Sequence, residues 1–234
     1  MKINLPAVKS RALAMVLMLA GTASLLISAC VKSSDEQPML YTALQVVNAS
    51  PGLPAIDLFF NNNRVNGDRE INYKDTISYK SFIQQTANIV IKKHFSSTAY
   101  INQNITFDGA KYYTLFLIGK PDSLTYVITE DNTTIPDAGN ARVRFLHLAH
   151  DTPALEMRLG ANKLFSGAAY KSASPYSLVV PGTYTLGLYK SGTDQLLSQQ
   201  SVTIKDKKIY TIYAAGYTTN AVDSLKMSAK VLEY

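Results

Sequence analysis

The chain has 234 residues, with 23 Lys and Arg against 17 Asp and Glu for a formal charge of +6. Lys2, Lys9 and Arg11 account for three of those cations; the rest stand at 20 against 17, with no basic stripe, which excludes a nucleic-acid partner. A hydrophobic content of 47% is enough for real cores, and a single cysteine excludes an internal disulfide.

Lys2, Lys9 and Arg11 form a positive leader, and Ala12 to Ala29 is an uncharged apolar run. Small residues Ser28 and Ala29 then precede Cys30. Residues 1–29 thus have the layout of a secretory signal. "ISAC" also resembles the lipobox of bacterial lipoproteins, in which the cysteine is lipidated and becomes the new N-terminus. The resemblance implies a lipid on Cys30 and the membrane as a partner. An uncleaved membrane-spanning anchor is the competing reading, but Gly21, Thr22, Ser24 and Ser28 dilute the run and no positive stop follows it directly. Val31 after the cysteine resembles cargo sorted to the outer membrane. "KSSDE" (Lys32 to Glu36) resembles the short acidic export tag of surface lipoproteins; the plain alternative is a solvated tether over residues 30–41. The cell surface and the periplasmic face both stay open.

Beyond the tether the chain repeats itself. "VVNASPGLPAIDLFFNNNRV" (Val46 to Val65) aligns without a gap on "FLHLAHDTPALEMRLGANKL" (Phe145 to Leu164). "YKDTISY" later matches "YKSASPY", and "ITFDGAKYYTLFLIG" matches "VTIKDKKIYTIYAAG". The sequence predicts a duplication, with repeats over residues 42–131 and 141–234 and a linker over 132–140, "NTTIPDAGN". Each repeat reads as β. "ALEMRL" alternates Leu155, Met157 and Leu159 with Glu156 and Arg158, a strand with one wet face. "TYTLGLY" and "SLKMSAKV" alternate likewise, and "VRFLHL", "YYTLFLI" and "IYTIYAA" are further strand runs. Ser78 to Ile91 reads as a loop plus a strand. Pro181-Gly182, Ser191-Gly192 and Asn66-Gly67 punctuate the runs. The expected fold is all-β, two tandem antiparallel β-sandwich domains.

"LQVVNASPGLPAIDLFF" and "VRFLHLAHDTPALEMRL" resemble the opening of the family called domain of unknown function 4397, with its strand, turn, Pro-Ala pair and second strand. "DGAKYYTLFLIG" and "DKKIYTIYAAG" resemble a later stretch of that family. Asn48 stands where the second copy has His147, and Ser50-Pro51 where it has Ala149-His150. The resemblance implies immunoglobulin-like sandwiches in an exported bacterial protein and carries no established activity.

The search for chemistry yields little. "HLAHD" (His147 to Asp151) has the residue types of a metal site, but residues three apart on a strand point to opposite faces, so turn polarity is preferred and no metal is expected. Asp57 and Glu156 occupy equivalent positions and are expected on wet strand faces, not paired in one cleft as glycoside hydrolysis requires. "TEDN" (Thr129 to Asn132) and "NGDRE" (Asn66 to Glu70) lack EF-hand spacing. No G-x-S-x-G, P-loop or G-x-G-x-x-G stretch occurs, so no catalytic residue or cofactor is assigned. Tryptophan is absent and 15 tyrosines are present; Tyr112, Tyr113, Tyr210, Tyr213 and Tyr217 are candidate sugar contacts. "DTI", "DSL" and "DSL" resemble O-glycosylation acceptors at Thr76, Ser123 and Ser224. The expected function is a non-catalytic binding or structural module anchored in the outer membrane, its further partner another envelope protein or a glycan. A carbohydrate-binding accessory protein is the alternative, and a hydrolase with an unrecognised site the third.

Overall fold

A computed structural model describes residues 40–83 and 86–234. Cys30, the leader and the tether up to residue 39 lie outside the described residues. The first repeat contains β1 (Thr42–Asn48), β2 (Ile56–Phe60), β3 (Asn63–Arg64), β4 (Thr76–Phe82), β5 (Thr86–Lys93), β6 (Ala99–Thr106), β7 (Tyr112–Ile118) and β8 (Thr125–Asp131). The second contains β9 (Ala141–His147), β10 (Leu155–Leu159), β11 (Asn162–Ala168), β12 (Ser177–Val179), β13 (Gly182–Lys190), β14 (Leu196–Ile204), β15 (Ile209–Ala215) and β16 (Ser228–Glu233). A single 3-10 turn, Asp223–Leu225, precedes β16, and no α-helix occurs among the described residues.

The two repeats have the same topology. The first pairs β4-β1-β7-β8 in one sheet and β3-β2-β5-β6 in the other; the second pairs β12-β9-β15-β16 and β11-β10-β13-β14. Each is a β-sandwich, as the sequence implies. One pair per repeat departs from the expected antiparallel pattern: β1 runs parallel to β7 and β9 parallel to β15. The segment read as a loop before Ile91 is also different, since Thr76–Phe82 is a strand antiparallel to β1. Its outward Ser78 and Lys80 conceal it in the sequence, while Ile77 points inward.

Alternation along the strands builds the cores. Ile56, Leu58 and Phe60 of β2 meet Leu44 and Val46 of β1 and Leu115 and Leu117 of β7 inside the first sandwich. Leu155, Met157 and Leu159 of β10 meet Phe145, Tyr210 and Ile212 inside the second. The sheets turn at fixed points. Gly119 and Gly216 end β7 and β15 at φ +94° and +116°, and a Cβ there would lie 2.7 Å from Ser123 O and 2.5 Å from Lys226 O. Only glycine fits both the backbone conformation and the gap.

A third cluster lies between the sandwiches. Val47, Phe116, Leu146, Leu148, Tyr213 and Ala215 are all buried there. They come from β1 and β7 of one repeat and, with Leu148 just past β9, from β9 and β15 of the other, on the faces turned away from their own cores. The two sheets that carry them are therefore inner sheets, and the β2 and β10 sheets are outer ones. Burial on both faces explains why every residue of β15 is buried and all of β7 but Tyr112. Residues 40–234 form one unit of four stacked sheets.

Candidate functional site

The seam between the inner sheets carries a buried ion pair as well as apolar side chains. Arg144 on β9 points away from its own core and is 3% exposed. Its guanidinium pairs with the Asp131 carboxylate at the end of β8. It also donates to Thr211 Oγ1 at 2.8 Å, Glu130 O at 2.8 Å and Thr129 Oγ1 at 3.0 Å, and lies 4.9 Å from the Tyr176 ring centre. Asp131 Oδ2 accepts from Tyr79 OH at 2.7 Å and from Thr114 Oγ1 at 2.6 Å. Burial pushes the Asp131 carboxyl up, and Arg144, Thr114 and Tyr79 counter it. The linker is fastened to the second repeat: Arg142 donates to Asn132 Oδ1 and Thr134 O, and Gly139 N donates to Asp206 Oδ1. At the opposite end Tyr217 OH donates to Pro51 O at 3.0 Å and Lys74 Nζ to Ser224 O at 2.8 Å, so both ends of the seam are tied.

Beside the ion pair the seam opens into a groove of about 530 Å³ lined by Tyr79, Tyr112, Ile135, Ile209, Lys207 and Tyr234, among others. Both repeats and the linker contribute to it. Tyr79 meets Tyr112 edge-on at 5.2 Å and Tyr234 at 6.1 Å. The Tyr79 hydroxyl is spent on Asp131, and that of Tyr234 donates to Gln45 Oε1 at 3.3 Å, so ring carbons rather than hydroxyls form the wall. A second hollow of about 320 Å³ shares Tyr112 and Thr133 and adds polar Lys111, Glu130 and Asn132. Aromatic carbon beside hydrogen-bonding groups is the chemistry that binds ligands with one apolar and one polar face.

Asp57 and Glu156 are not on wet faces. They are 4% and 2% exposed, and each is bonded into a cluster on the outer sheet of its repeat. Asp57 accepts from Arg64 at 2.5 Å, His94 Nδ1 at 2.8 Å, Asn66 Nδ2 at 3.0 Å and Phe95 N at 3.2 Å. Burial pushes its carboxyl up, but these bonds outweigh it and hold the pKa down to about 2. Glu156 accepts from Arg158 at 2.5 Å and pairs with Lys163 at 3.4 Å. Burial again opposes, while Arg158 and Lys163 hold that carboxyl below its usual range. The two acids sit on opposite outer sheets, so they do not face one another across a cleft.

Residues 42–158 and 155–232 match the family described as a domain of unknown function, DUF4397. The chain belongs to the DUF4397 family. The first match runs through the linker into the opening strands of the second repeat. No curated protein matches the chain. Among solved structures it is similar to CBMbc, the family CBM26 module of Eubacterium rectale Amy13K in complex with maltoheptaose, at 8% identity over 82% of this chain and 96% of that one, with a TM-score of 0.24. It is also similar to a leucine-rich repeat protein from Bacteroides thetaiotaomicron at 13% identity, over 74% of this chain and 25% of that one, with a TM-score of 0.18.

Within this DUF4397 chain the five candidate tyrosines do not share a face. Tyr113, Tyr210 and Tyr213 are buried in the cores and the seam and offer no surface to a sugar. Tyr112, 43% exposed, lines the groove; Tyr217 is half-buried at the opposite end. Alternation hides this, because inner-sheet strands have two dry faces. Tyr79 and Tyr234, absent from the sequence reading, join Tyr112 through strand pairing that a single sequence does not display. The "HLAHD" histidines diverge. His147 is fully buried, its Nδ1 accepts from Ala149 N at 3.3 Å, and its Nε2 donates to Pro153 O at 3.1 Å. Asn48 accepts from Ser50 N at 3.1 Å in the matching turn. His150 instead meets the Tyr217 ring at 5.3 Å, and Asp151 accepts from Thr218 N at 3.0 Å. Among the described residues no three His, Cys, Asp or Glu side chains are grouped as for a metal. Asn66 of "NGDRE" and Asp131 of "TEDN", the latter at the end of β8 and not in a loop, are occupied in the Asp57 and Arg144 clusters. Of the glycosylation candidates, Ser123 and Ser224 are exposed in turns, and Thr76 is half-buried at the start of β4.

Proposed function

We propose that this DUF4397 protein is a non-catalytic binding or structural module of the cell envelope, lipidated at Cys30 and held on the outer membrane, at the cell surface or its periplasmic face. One observation supports the non-catalytic part. Every buried charged side chain among the described residues (Asp57, Asp131, Arg144 and Glu156) is engaged by structural partners. Catalysis asks for a titratable group held ready for substrate. The anchor is supported by the sequence around Cys30. Metabolic labelling with a fatty-acid probe tests it: the wild type takes up label and Cys30→Ala does not. Equal labelling of both, or of neither, rejects it.

The partner is another envelope protein or a glycan. The exposed Tyr112 ring over the groove favours a glycan, since a pyranose presents C–H groups to such a ring and hydroxyls to its polar rim. A glycan array on the wild type and on Tyr112→Ala decides between them. Saturable sugar binding lost in Tyr112→Ala selects the carbohydrate-binding reading. No glycan retained, with an envelope protein recovered by crosslinking, selects the other.

A further inference from the structure

We infer that the end of the stack from which β1 begins is a membrane-docking face, where exposed apolar side chains enter the headgroup region of the bilayer that carries the anchor. This rests on the proposed lipid at Cys30 and on the envelope-protein reading of the partner, since a bilayer over this end covers Tyr112 and the groove. The strand register fixes which residues share that end. β1 and β7 start together, with Ala43 opposite Tyr112, and β9 and β15 start together, with Arg142 opposite Ile209. The groove joins Tyr112 to Ile209, so these starts lie at one end of both repeats.

The large hydrophobic side chains that stay exposed are concentrated there. Leu40 and Tyr41 lead into β1, and Tyr112 begins β7. Ile83 follows β4, whose Phe82 is opposite Thr42. Ile135 is 69% exposed in the linker, and Leu178 and Val180, the latter 66% exposed, lie at β12, whose Val179 is opposite Ala141. Only Phe95, Leu196 and Val222 of this class, among the described residues, are at the other end. Isolated exposed hydrophobics need no explanation, but seven gathered at one end form an interaction surface.

The length of chain outside the described residues identifies the occupant. Nine residues, Val31 to Met39, separate Cys30 from Leu40. Fully extended, they reach about 30 Å, so a lipid on Cys30 keeps this end close to the bilayer. Tyrosine suits the water–lipid boundary, with its ring in the apolar layer and its hydroxyl toward water. The face is not a basic patch. Lys111 is paired with Asp108 and Glu130, Lys205 and Lys208 share Glu233, and Lys207 at the groove adds a single exposed cation. Docking is therefore apolar and depends little on lipid charge or salt. The anchor raises the local concentration of bilayer, so a weak contact suffices.

Vesicle flotation of the mature chain carrying Cys30→Ala tests the face without the lipid. It floats with neutral phosphatidylcholine and phosphatidylethanolamine vesicles, at low and high salt alike. Ile135→Asp with Val180→Asp lowers the partition coefficient by about tenfold or more, because two apolar side chains are lost from the contact. Phe95→Asp with Leu196→Asp, at the other end, leaves it unchanged. All four positions are exposed, and circular dichroism verifies that both variants remain folded. Absence of flotation, or equal loss in both variants, overturns the inference. So does a dimer broken by Ile135→Asp with Val180→Asp in a protein that does not float; that result assigns the end to a second copy. Failure of the anchor itself reads out separately, as missing acyl label on wild type while Cys30→Ala still floats.

Discussion

Asp57 and Glu156 hold equivalent positions and solve the same problem with different partners. Each is buried on an outer sheet beside a cation aligned with it in the repeat, Arg64 or Lys163. Nearby, Lys92 lies 4.9 Å from the Phe59 ring centre, and Arg158 lies 4.0 Å from that of Tyr189. Phe59 aligns with Arg158, and Lys92 and Tyr189 are opposite the two acids, so ring and cation have changed places between repeats. Asp57→Ala takes the carboxylate from Arg64 and His94 and one of two acceptors from Asn66, and is expected to cost about 1–3 kcal/mol in urea unfolding. Because the folded pKa is depressed from 3.8 to about 2, the carboxylate contributes stability above pH 3.8 that is lost as pH falls toward 2. Asp57→Asn should flatten the stability–pH curve in that window. His147 gives a second prediction. Burial holds its imidazole neutral below the usual pKa of 6.5, outweighing the bonds to Pro153 and Thr152 carbonyls, so stability falls as pH drops below 6.5 and the unfolded chain takes the proton. His147→Asn copies Asn48; it should keep the turn and remove that dependence in melts at pH 7 and pH 5. The position of the acids after each Pro-Ala pair was legible in the sequence. Their burial was not: His94 and Phe95 reach Asp57 from the end of β5, and Lys163 reaches Glu156 from β11.

The inner strands show what element-level reading can and does miss. "YYTLFLI" and "IYTIYAA" are recognisable as strands from their β-branched and aromatic content. Their near-continuous apolar character is that of strands with two dry faces, but the partner of the second face lies in the other repeat and no single strand displays it. Phe116 and Tyr213 fill the second face, with ring centres 5.4 Å apart. Phe116→Ala should therefore destabilise by about 3–5 kcal/mol, although it touches neither sandwich core. The Arg144 pair belongs to the same surface. Arg144→Met strands Asp131 as a buried carboxylate and should cost about 3–5 kcal/mol at neutral pH. The loss should ease toward acid pH, where Asp131 takes a proton, and pairing the change with Asp131→Leu should recover part of it. Chemical denaturation of the two single variants and the double variant measures the coupling.

At the scale of the molecule, duplication was legible and stacking was not. The aligned segments predict two similar units; that they share a buried seam depends on side chains whose partners lie in the other copy. Each repeat has its own core, so residues 42–131 and 141–234 are each expected to fold alone, but with a lower melting temperature than the full chain, since Val47, Phe116, Leu146 and Tyr213 become exposed. Circular dichroism of both fragments tests this, and two disordered spectra would contradict it. The parallel pairing of β1 with β7 carries a mechanical consequence under the anchoring proposed at Cys30. When a bound partner drags the body away from the membrane, tension runs along the tether and enters at Thr42. β1 is an interior strand, bonded to β4 on one side and to β7 on the other. A pull along its axis strains both ladders in shear, all bonds together, where an edge strand tugged sideways would peel one bond at a time. Single-molecule traces with handles at Cys30 and Asn102→Cys on the outer sheet should show one abrupt high-force rupture; gradual low-force lengthening would contradict it. The strand that bears the load is thus the one gripped from both sides.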